Sequence, residues 1–392
     1  MRDLLNIGIV CYPTYGGSGV VATELGMALA RKGHKVHFIS YRRPARLGHF
    51  LPNVFYHEVA PFEYPLFDFK PIDTALASKI VDVAMYENLD VLHVHYAIPH
   101  ATIGYLAREI LRSKNKSLPF VTTLHGTDIT LVGADRSFFP VVEFSINQSN
   151  AVTAVSQALK QQTHDTFDVQ KEIKVIPNFI DFDRFTKKPN PELRLKFATE
   201  NEKILMHVSN FRKVKRVEDV LGVFKLVNQK LPSKLVLIGD GPERPRMEML
   251  SREWGISQEV CFLGKQDNVE ELLAISDLFV LPSEHESFGL AALEAMACEV
   301  PVISSNAGGL PEVNIHGVTG FLSDIGDVES MGANALMLLE NEDMLKQFSH
   351  NALEQARKFD ISFILPQYET YYEEILNRFN ATHQKAKVSM TC

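Results

Sequence analysis

Cysteine is scarce in this chain of 392 residues. The four cysteines stand singly, and no two of them have the CxxC spacing that is typical of zinc sites and redox pairs. They are Cys11, Cys261, Cys298 and Cys392. The pattern therefore argues against a disulfide framework and a zinc site, and it suits the reducing cytoplasm.

The sequence also lacks a long hydrophobic run. No stretch approaches the roughly 18 apolar residues that can cross a membrane. The N-terminal sequence MRDLLNIGIV is too short in apolar length for a signal peptide and leads directly into a predicted strand. We therefore expect no stable membrane insertion, while contact with a membrane surface stays open.

Positive charge is not in excess either. The chain has 40 Lys and Arg against 48 Asp and Glu, and the net charge of −8 argues against a nucleic-acid partner held mainly by electrostatics. Its 45% hydrophobic and 22% charged residues are ordinary for a soluble globular protein. Because 392 residues exceed one ordinary core, we expect two domains.

The N-terminal part predicts a strand, a glycine loop, a helix and a second strand. The strands are expected at Leu5–Tyr12 and Lys35–Ser40, and the helix at Val20–Arg31. This order is the opening of a doubly wound parallel sheet. A nicotinamide site is disfavoured, because the second strand runs into Arg42 and Arg43 where an acid would hold the ribose.

The glycine loop still predicts an anion site. A helix start has unpaired N–H groups, and glycines allow a ligand to approach the backbone closely. We expect this site, for a carboxylate or a phosphate, at Gly17, Ser18 and Gly19.

Polar residues end two further strands of the same half. The strand Asp90–His95 is followed by Tyr96, and the strand Phe120–Leu124 by the sequence HGTD at 125–128. Ligands of open α/β sheets bind at such strand ends, although HGTD could instead only cap a helix. The HxH pair in the first of these strands has no third metal ligand at a recognisable spacing, so we expect core or loop histidines.

The second half repeats the alternation of strands and helices. Residues 181–202 are polar and predict a linker, and the strand Ile204–Val208 opens a second Rossmann-like domain. The loop Arg212–Arg216 then has four cations in five residues, which could neutralise a diphosphate or could be a solvated loop. The sequence Asp181-Phe182-Asp183 matches a metal-binding DxD only superficially. It follows a polar turn, and we expect it to cap a short helix.

The stretch Glu286–Glu294 stands out in the second half. It lies between an apolar strand, Leu278–Leu281, and a helical pattern, Phe288–Cys298. A helix that started just after Glu286 would direct N–H groups at a phosphate, and Glu294, about 10 Å along the same face, could bind hydroxyls. The alternative is an amphipathic core helix with two solvated glutamates.

Several motifs, in this order along the chain, resemble the retaining glycosyltransferases of family four. They are GGSG at 16–19, the basic loop, GDGPE at 239–243, the E-x7-E pair of Glu286 and Glu294, and GGLPE at 308–312. The resemblance covers nearly the whole chain. It implies the α/β fold called GT-B, with two Rossmann-like domains facing a cleft.

The resemblance also implies the domain bounds and the substrates. The first domain would comprise residues 1–180 and a returning helix, 362–378, and the second residues 181–361. The sequences HYAIPHA (95–101) and TLHGTDIT (123–130) are similar to members that transfer N-acetylglucosamine from UDP-GlcNAc to L-malate in bacillithiol biosynthesis. Such members imply no cofactor, no metal and a homodimer.

By resemblance, four residues would carry the catalysis. Glu286 should contact the transferred sugar, and Lys215 matches a lysine that binds the diphosphate. Asn210 stands where the family has an arginine, so we expect Arg212 to take over that charge. His125 matches a histidine near the 6-hydroxyl of the sugar.

The resemblance assigns the remaining positions to the two substrates. Glu294 should hold the ribose hydroxyls of the donor. The other predicted donor-binding residues are Gly17, Asn210, Gly241, Lys265, Gln266, Phe288, Gly289 and Leu290. The predicted acceptor-binding residues are Ser18, Gly19, Tyr96, Thr127 and Asn178.

Three other functions compete with this one. The first is transfer to another acceptor, such as an inositol phosphate or a lipid. The second is epimerisation of UDP-GlcNAc, and the third is a sensor that binds the donor without turnover.

Overall fold

The chain forms two compact α/β units. A computed structural model describes residues 4–14, 16–48, 50–60, 68–133 and 135–390. Contacts divide the chain into a first unit, Met1–Pro177 with Ser362–Cys392, and a second unit, Asn178–Ile361. Each unit is built on one parallel sheet, which confirms the predicted fold class.

The sheet of the first unit has seven parallel strands. They are β1 (Asn6–Val10), β2 (Lys35–Ser40), β3 (Val54–Glu58), β4 (Val91–His95), β5 (Phe120–Leu124), β6 (Ala151–Ala154) and β7 (Ile173–Val175). Their order across the sheet is β3-β2-β1-β4-β5-β6-β7. The connecting helices are α1 (Gly17–Arg31), α2 (Ile72–Tyr86), α3 (Thr102–Ser113), α4 (Phe139–Gln148) and α5 (Gln157–Thr166).

The sheet of the second unit has six parallel strands. They are β8 (Lys203–Val208), β9 (Ser233–Ile238), β10 (Val260–Gly264), β11 (Leu278–Leu281), β12 (Val302–Ser305) and β13 (Gly320–Ser323), in the order β10-β9-β8-β11-β12-β13. The helices from here on are α6 (Pro191–Leu195), α7 (Val217–Asn228), α8 (Arg244–Glu253), α9 (Val269–Leu273), α10 (Leu290–Ala297), α11 (Leu310–Val313), α12 (Val328–Leu339), α13 (Glu342–Arg357) and α14 (Ile361–Met390).

Hydrophobic strands place the core of each unit on both faces of its sheet. Parallel strands are covered by helices on two sides, so their residues are apolar without alternation. Every residue of β11 and β12 is buried. Valine and leucine side chains of α7 and α12 pack with those of β8 and β9 in one cluster.

Each sheet reverses its strand order at one point. The strand β1 lies beside β4 in the first unit, and β8 lies beside β11 in the second. Loops that leave neighbouring strands at such a point diverge to opposite faces and open a crevice for a ligand. The loops after these four strands, together with the helix starts that follow them, contain most of the predicted site residues.

Two predicted helix bounds are wrong. The last helix was expected to end near residue 378, but α14 continues to Met390. Its buried Tyr368 and Tyr372 pack within the first unit. The helix expected just after Glu286 starts at Leu290, because Gly289 has a left-handed backbone with φ of +97°.

Two further predictions concern the polar segment 181–202. It was predicted as a linker, but it lies within the second unit and contains the short helix α6. The side chain of Asp181 accepts a hydrogen bond of 3.0 Å from the N–H of Asp183 within a turn. It caps no helix, because α6 starts at Pro191 and is capped by Asn190, so the predicted helix cap at Asp181 is wrong. No helix among the described residues is both long and apolar enough to cross a membrane.

Candidate functional site

The loops after β8 and β11 meet in the second unit and join two predicted catalytic residues. The N–H of Glu284 donates to the carbonyl of Val214 at 2.8 Å. Nζ of Lys215 lies 2.6 Å from Oε2 of Glu286, and these side chains are only 20% and 16% exposed. A charge-assisted bond of this length holds both groups at the switch point of the sheet.

The GGLPE motif supports the backbone of Glu286. The N–H of Gly309 donates to the carbonyl of Glu286 at 2.8 Å. A Cβ at Gly308 would lie 2.1 Å from that same carbonyl oxygen, and one at Gly309 would lie 2.4 Å from the carbonyl of Ser287. Only glycine permits this approach, so the motif has a structural role that its sequence did not reveal.

Helix α10 directs its first N–H groups into the same loop region. The left-handed Gly289 precedes it, and a Cβ there would lie 2.6 Å from the side chain of Leu310. Glu294 lies in the second turn and is only 6% exposed. The predicted distance of about 10 Å along one helix face to Glu294 is wrong, because the helix starts at Leu290, only four residues before it.

The side chain of Phe288 belongs to the core rather than to a site. It is buried and packs edge-on against Phe359, with ring centroids 5.5 Å apart. Only the backbone of Phe288 is therefore free to contact a ligand.

The cations of the basic loop have different surroundings. Arg216 is paired with Asp219, at 2.6 Å, in the first turn of α7. Arg212 and Lys213 are exposed, and neither makes an ion pair with a residue that the structure describes. Arg212 therefore has the freedom to bind an anion, next to the exposed Asn210.

The GDGPE motif packs against the start of this loop. Gly239 has φ of +121°, and a Cβ there would lie 1.8 Å from the carbonyl of Ser209. A Cβ at Gly241 would lie 2.6 Å from the carbonyl of the buried Phe211. These close approaches fix the backbone on either side of Asn210.

Two of the predicted donor-binding residues follow β10, on the same sheet edge. Lys265 and Gln266 are both exposed. Nε2 of Gln266 donates to the carbonyl of Leu263 at 2.8 Å. The carbonyl of Gly264 accepts from the N–H of Gly239 at 2.8 Å, which ties this loop to GDGPE.

In the first unit, the loops after β1 and β4 meet in the same way. The hydroxyl of Tyr96 donates to Oγ of Ser18 at 2.7 Å. Gly19 lies where a Cβ would be 2.4 Å from the carbonyl of Tyr12, so the start of α1 packs closely on the preceding loop. The exposed Gly17 and the half-buried Ser18 begin the helix beneath Tyr96.

A histidine cluster lies beside this loop, at the ends of β4 and β5. Nδ1 of His95 lies 2.8 Å from Nε2 of His125. Burial lowers the pKa of His93 to about 3 and that of His125 to about 3, with smaller contributions from neighbouring histidines. Burial lowers the pKa of His100 to about 4, so these rings are neutral at pH 7.

Asp128 clamps the two loops together and was missed as a site-forming residue. Its carboxylate accepts from the N–H groups of Ala97 at 2.8 Å, Gly126 at 2.9 Å and His125 at 3.3 Å. For HGTD the sequence left ligand binding and helix capping open, and it did not reveal that Asp128 joins the two loops. Burial raises the pKa of Asp128 to about 6, although these three donors act in the opposite direction.

The last two acceptor candidates differ in position. Thr127 is half-buried and starts an irregular turn after β5. Asn178 belongs to the second unit and is only 6% exposed. Its Oδ1 has no hydrogen-bond partner among the described residues, so this buried oxygen is available to a ligand.

Comparison with known proteins identifies the family. Residues 15–184 match Glycosyltransferase Family 4, and residues 190–355 match Glycosyl transferases group 1. The chain is 48% identical, over 95% of its length and 97% of the relative, to the N-acetyl-alpha-D-glucosaminyl L-malate synthase of Bacillus anthracis. The chain belongs to the family-four glycosyltransferases.

A second relative and two solved structures extend the comparison. This glycosyltransferase is 26% identical, over 94% of its length and 89% of the relative, to the D-inositol 3-phosphate glycosyltransferase of Mycolicibacterium smegmatis. Sucrose-phosphate synthase from Thermosynechococcus elongatus has a TM-score of 0.80 at 20% identity, covering 95% of this chain and all (100%) of that one. HepE of Anabaena, in complex with UDP and glucose, has a TM-score of 0.79 at 23% identity, with coverages of 94% and 99%. These likenesses show the GT-B fold.

Proposed function

We propose that this glycosyltransferase moves N-acetylglucosamine from UDP-GlcNAc to the hydroxyl of L-malate, with retention of the anomeric configuration, as the first step of bacillithiol biosynthesis. The observation that carries the proposal is the 48% identity to an L-malate synthase over 95% of the chain. The geometry of the loops after β8 and β11 supports it, because a glutamate, a lysine and a helix start converge there.

The donor would bind in the second unit. Lys215 and Arg212 would meet the diphosphate, and the N–H groups at the start of α10 would add the positive end of the helix dipole. Glu294 would hold the ribose hydroxyls and Glu286 the transferred sugar. In this arrangement Lys215 exchanges part of its pairing with Glu286 for a phosphate oxygen.

These groups would act mainly by electrostatics. Cleavage of the bond from the anomeric carbon to the diphosphate oxygen leaves negative charge on UDP, and fixed donors aimed at that charge stabilise the transition state. The L-malate hydroxyl would attack from the leaving-group face, and its proton would pass to a phosphate oxygen. We therefore assign neither a protein nucleophile nor a general base.

We propose that no metal takes part, because the cations of the basic loop supply the charge. Within the described parts of the chain, no three His, Cys, Asp or Glu side chains form a group that could hold a metal ion. Transfer should persist in EDTA. If EDTA abolished the activity and Mg²⁺ or Mn²⁺ restored it, the proposal that no metal takes part would be refuted.

The acceptor would bind in the first unit. L-malate has two carboxylates, and the start of α1 offers N–H groups at Ser18 and Gly19. The hydroxyls of Tyr96 and Thr127 would add hydrogen bonds. Asn178, the remaining predicted acceptor residue, belongs to the second unit. Its buried oxygen has no partner among the described residues and can accept a hydrogen bond.

The test is product analysis. The purified protein is incubated with UDP-GlcNAc and, separately, L-malate, an inositol phosphate or a lipid acceptor. We expect UDP and an α-linked GlcNAc-malate, identified by mass and by NMR of the anomeric proton. Faster transfer to inositol phosphate or lipid would refute the acceptor.

Two controls separate the other rivals. Donor alone should remain unchanged, because conversion of its sugar without an acceptor would indicate an epimerase. Binding of UDP-GlcNAc without turnover on any acceptor would indicate a sensor.

We also propose a cytoplasmic homodimer. The described cysteines are free thiols, which suits a reducing compartment. Apolar side chains on α3 and α4 are unusually exposed, namely Leu106 (42%), Val141 (41%) and Phe144 (41%), and a second copy could cover them. Light scattering should show a dimer for the wild type and a monomer for Phe144→Glu; a monomeric wild type would refute the dimer.

A further inference from the structure

The last residue of β4 and the first residue after β5 share one hydrogen bond. Nδ1 of His95 and Nε2 of His125 are 2.8 Å apart, and one of them must donate to the other. His95 is fully buried, and its Nε2 has no partner among the described residues. The other ring nitrogen of His125, Nδ1, receives no hydrogen bond from them either.

Only two arrangements of the protons are open to this neutral pair. If Nε2 of His125 donated, Nδ1 of His95 would be the acceptor, and the proton of His95 would sit on its buried, unpartnered Nε2. If Nδ1 of His95 donates, its Nε2 holds only a lone pair. A buried N–H without an acceptor is the rarer and costlier defect, so the second arrangement is favoured.

We propose that His95 is a positioning residue, which fixes the proton of His125 on Nδ1 so that His125 presents an N–H donor to a substrate oxygen. The inference rests on the proposed function, which makes His125 a sugar-binding residue. An N–H on Nδ1 of His125 would donate a hydrogen bond to a lone pair of a hydroxyl oxygen on the substrate. Without His95 the two tautomers of His125 would exchange, and part of the population would present a lone pair instead.

The surroundings of His95 prevent its ring from turning. The ring of His93 stacks on it, with centroids 4.4 Å apart and an angle of 25° between the planes. His93 is itself held at both nitrogens, by the hydroxyl of Tyr372 at 2.6 Å and that of Thr123 at 2.7 Å. The carbonyl of His95 accepts from Nδ1 of His100 at 2.5 Å.

Burial also keeps both His95 and His125 neutral. It lowers the pKa of His95 well below the usual value, with neighbouring histidines adding to the effect. The backbone of His125 is fixed separately, through its N–H to Asp128. His95 thus controls the tautomer of His125 and not its position.

The direct test is NMR of the full chain labelled with ¹⁵N-histidine, with His125 assigned by comparison with His125→Phe. Long-range ¹H–¹⁵N spectra distinguish the two neutral tautomers. We expect the wild-type His125 with its proton on Nδ1, and a shift toward the average of both tautomers in His95→Leu. A wild-type His125 protonated on Nε2 would overturn the inference, whatever the activity.

Kinetics provide a second test with a conservative control. An asparagine places its amide near Nδ1 of the imidazole, so His95→Asn should keep kcat/KM within about threefold while His95→Leu loses about tenfold, the worth of one hydrogen bond. In a His125→Phe background, His95→Leu should cause no further loss in transfer. An equal loss in both backgrounds would show that His95 acts on the structure alone.

Failure of the inference and failure of the proposed function are distinguishable. Absence of transfer to L-malate by the wild type would refute the function, while the NMR test of His125 needs no substrate. Normal transfer by His125→Phe would overturn the assigned role of His125 and the inference with it.

Discussion

At the scale of single residues, the ion pair of Lys215 and Glu286 makes the sharpest prediction. Glu286→Gln keeps the shape of the side chain and removes its charge. We expect transfer to fall by about 100-fold or more, because a preorganised charge at the reacting sugar is lost. UDP binding should be equal or tighter, since Lys215 no longer has its partner at 2.6 Å. Steady-state kinetics and calorimetry with UDP measure the two effects.

The matched control is Glu284→Gln, two residues away in the same loop. The side chain of Glu284 is exposed, and its loop is held through its backbone N–H. Its transfer rate should stay within about twofold of the wild type, since surface charges contribute little. Near-normal transfer by Glu286→Gln would contradict the role assigned to Glu286 at the transferred sugar.

A second prediction at this scale concerns the acceptor. Tyr96→Phe deletes the hydroxyl that donates to Ser18 at 2.7 Å, at the start of α1. We expect the KM for L-malate to rise about five- to tenfold, the worth of about 1 kcal/mol, with the KM for UDP-GlcNAc unchanged. Tyr105→Phe, at a half-buried tyrosine of α3 away from the loops after β1 and β4, is the control. A change in the KM for UDP-GlcNAc alone would contradict the assignment of Tyr96 to the acceptor site.

At the scale of elements, the start of α10 can be tested through one glycine. Gly289→Ala forces a side chain into a backbone with φ of +97° and places a Cβ 2.6 Å from Leu310. We expect a loss of about 1–2 kcal/mol in stability. UDP affinity should fall about tenfold, because the N–H groups of the helix start shift away from the phosphates.

The control for this change is Gly255→Ala. Gly255 also has a left-handed backbone, with φ of +70°, but a Cβ there meets nothing within 4 Å. Its stability should fall by about 1 kcal/mol, and its UDP affinity should not change. Equal losses of UDP affinity in both variants would show that α10 does not bind the donor.

Elements also show what the sequence can predict. Strong local signals placed β2, β5 and β11 at their observed bounds, and β4 and β8 to within one residue. The start of α10 was missed because its position depends on GGLPE, which contacts it from more than fifteen residues away. The elements β13, α12 and α13 carry no site motif and were not predicted.

The residue contacts of the two sites could be predicted only in part. Motifs indicated Lys215 and Glu286, but their contact depends on β8 lying next to β11. These two strands are far apart in sequence, with 69 residues between the end of β8 and the start of β11. The pairing of His95 with His125 likewise follows from the strand order. Roles in binding stay predictions, while the α/β fold is confirmed by two parallel sheets.

At the scale of the whole molecule, the buried histidines predict that acid acts first on one unit. Their pKa values are lowered by burial, so the folded state stays neutral where the unfolded chain takes up protons. Among the described residues of the first unit, the histidines with lowered pKa values are the buried His37, His93, His95 and His100 and the half-buried His57 and His125. In the described second unit only His207 has a lowered pKa.

The sign of the effect follows from the lowered pKa values. Above about pH 6.5 the histidines are neutral in both states and cost nothing. As the pH falls below that value, the unfolded chain binds protons and the folded state loses stability, until the pH reaches the folded pKa values of about 3 to 4. At pH 5.5 each fully buried histidine costs about 1 kcal/mol.

One buried group opposes this trend. Asp128 has a pKa raised to about 6, so between pH 6 and 4 it takes up its proton in the folded state first and adds stability. It is a single carboxylate against six histidines in the same unit. The net effect of acid on the first unit is therefore destabilising.

Hydrogen exchange resolved by peptide, at pH values from 7.5 to 5.5 and corrected for the intrinsic exchange rate, measures this difference. We expect the protection of β4 and β5 to fall much more than that of β8 and β11, because His207 is the one such histidine among the described residues of the second unit. The variant His207→Gln should leave the acid response of the first unit unchanged. Equal loss of protection in both sheets, or greater loss in the second, would contradict the assignment of acid lability to the histidine cluster.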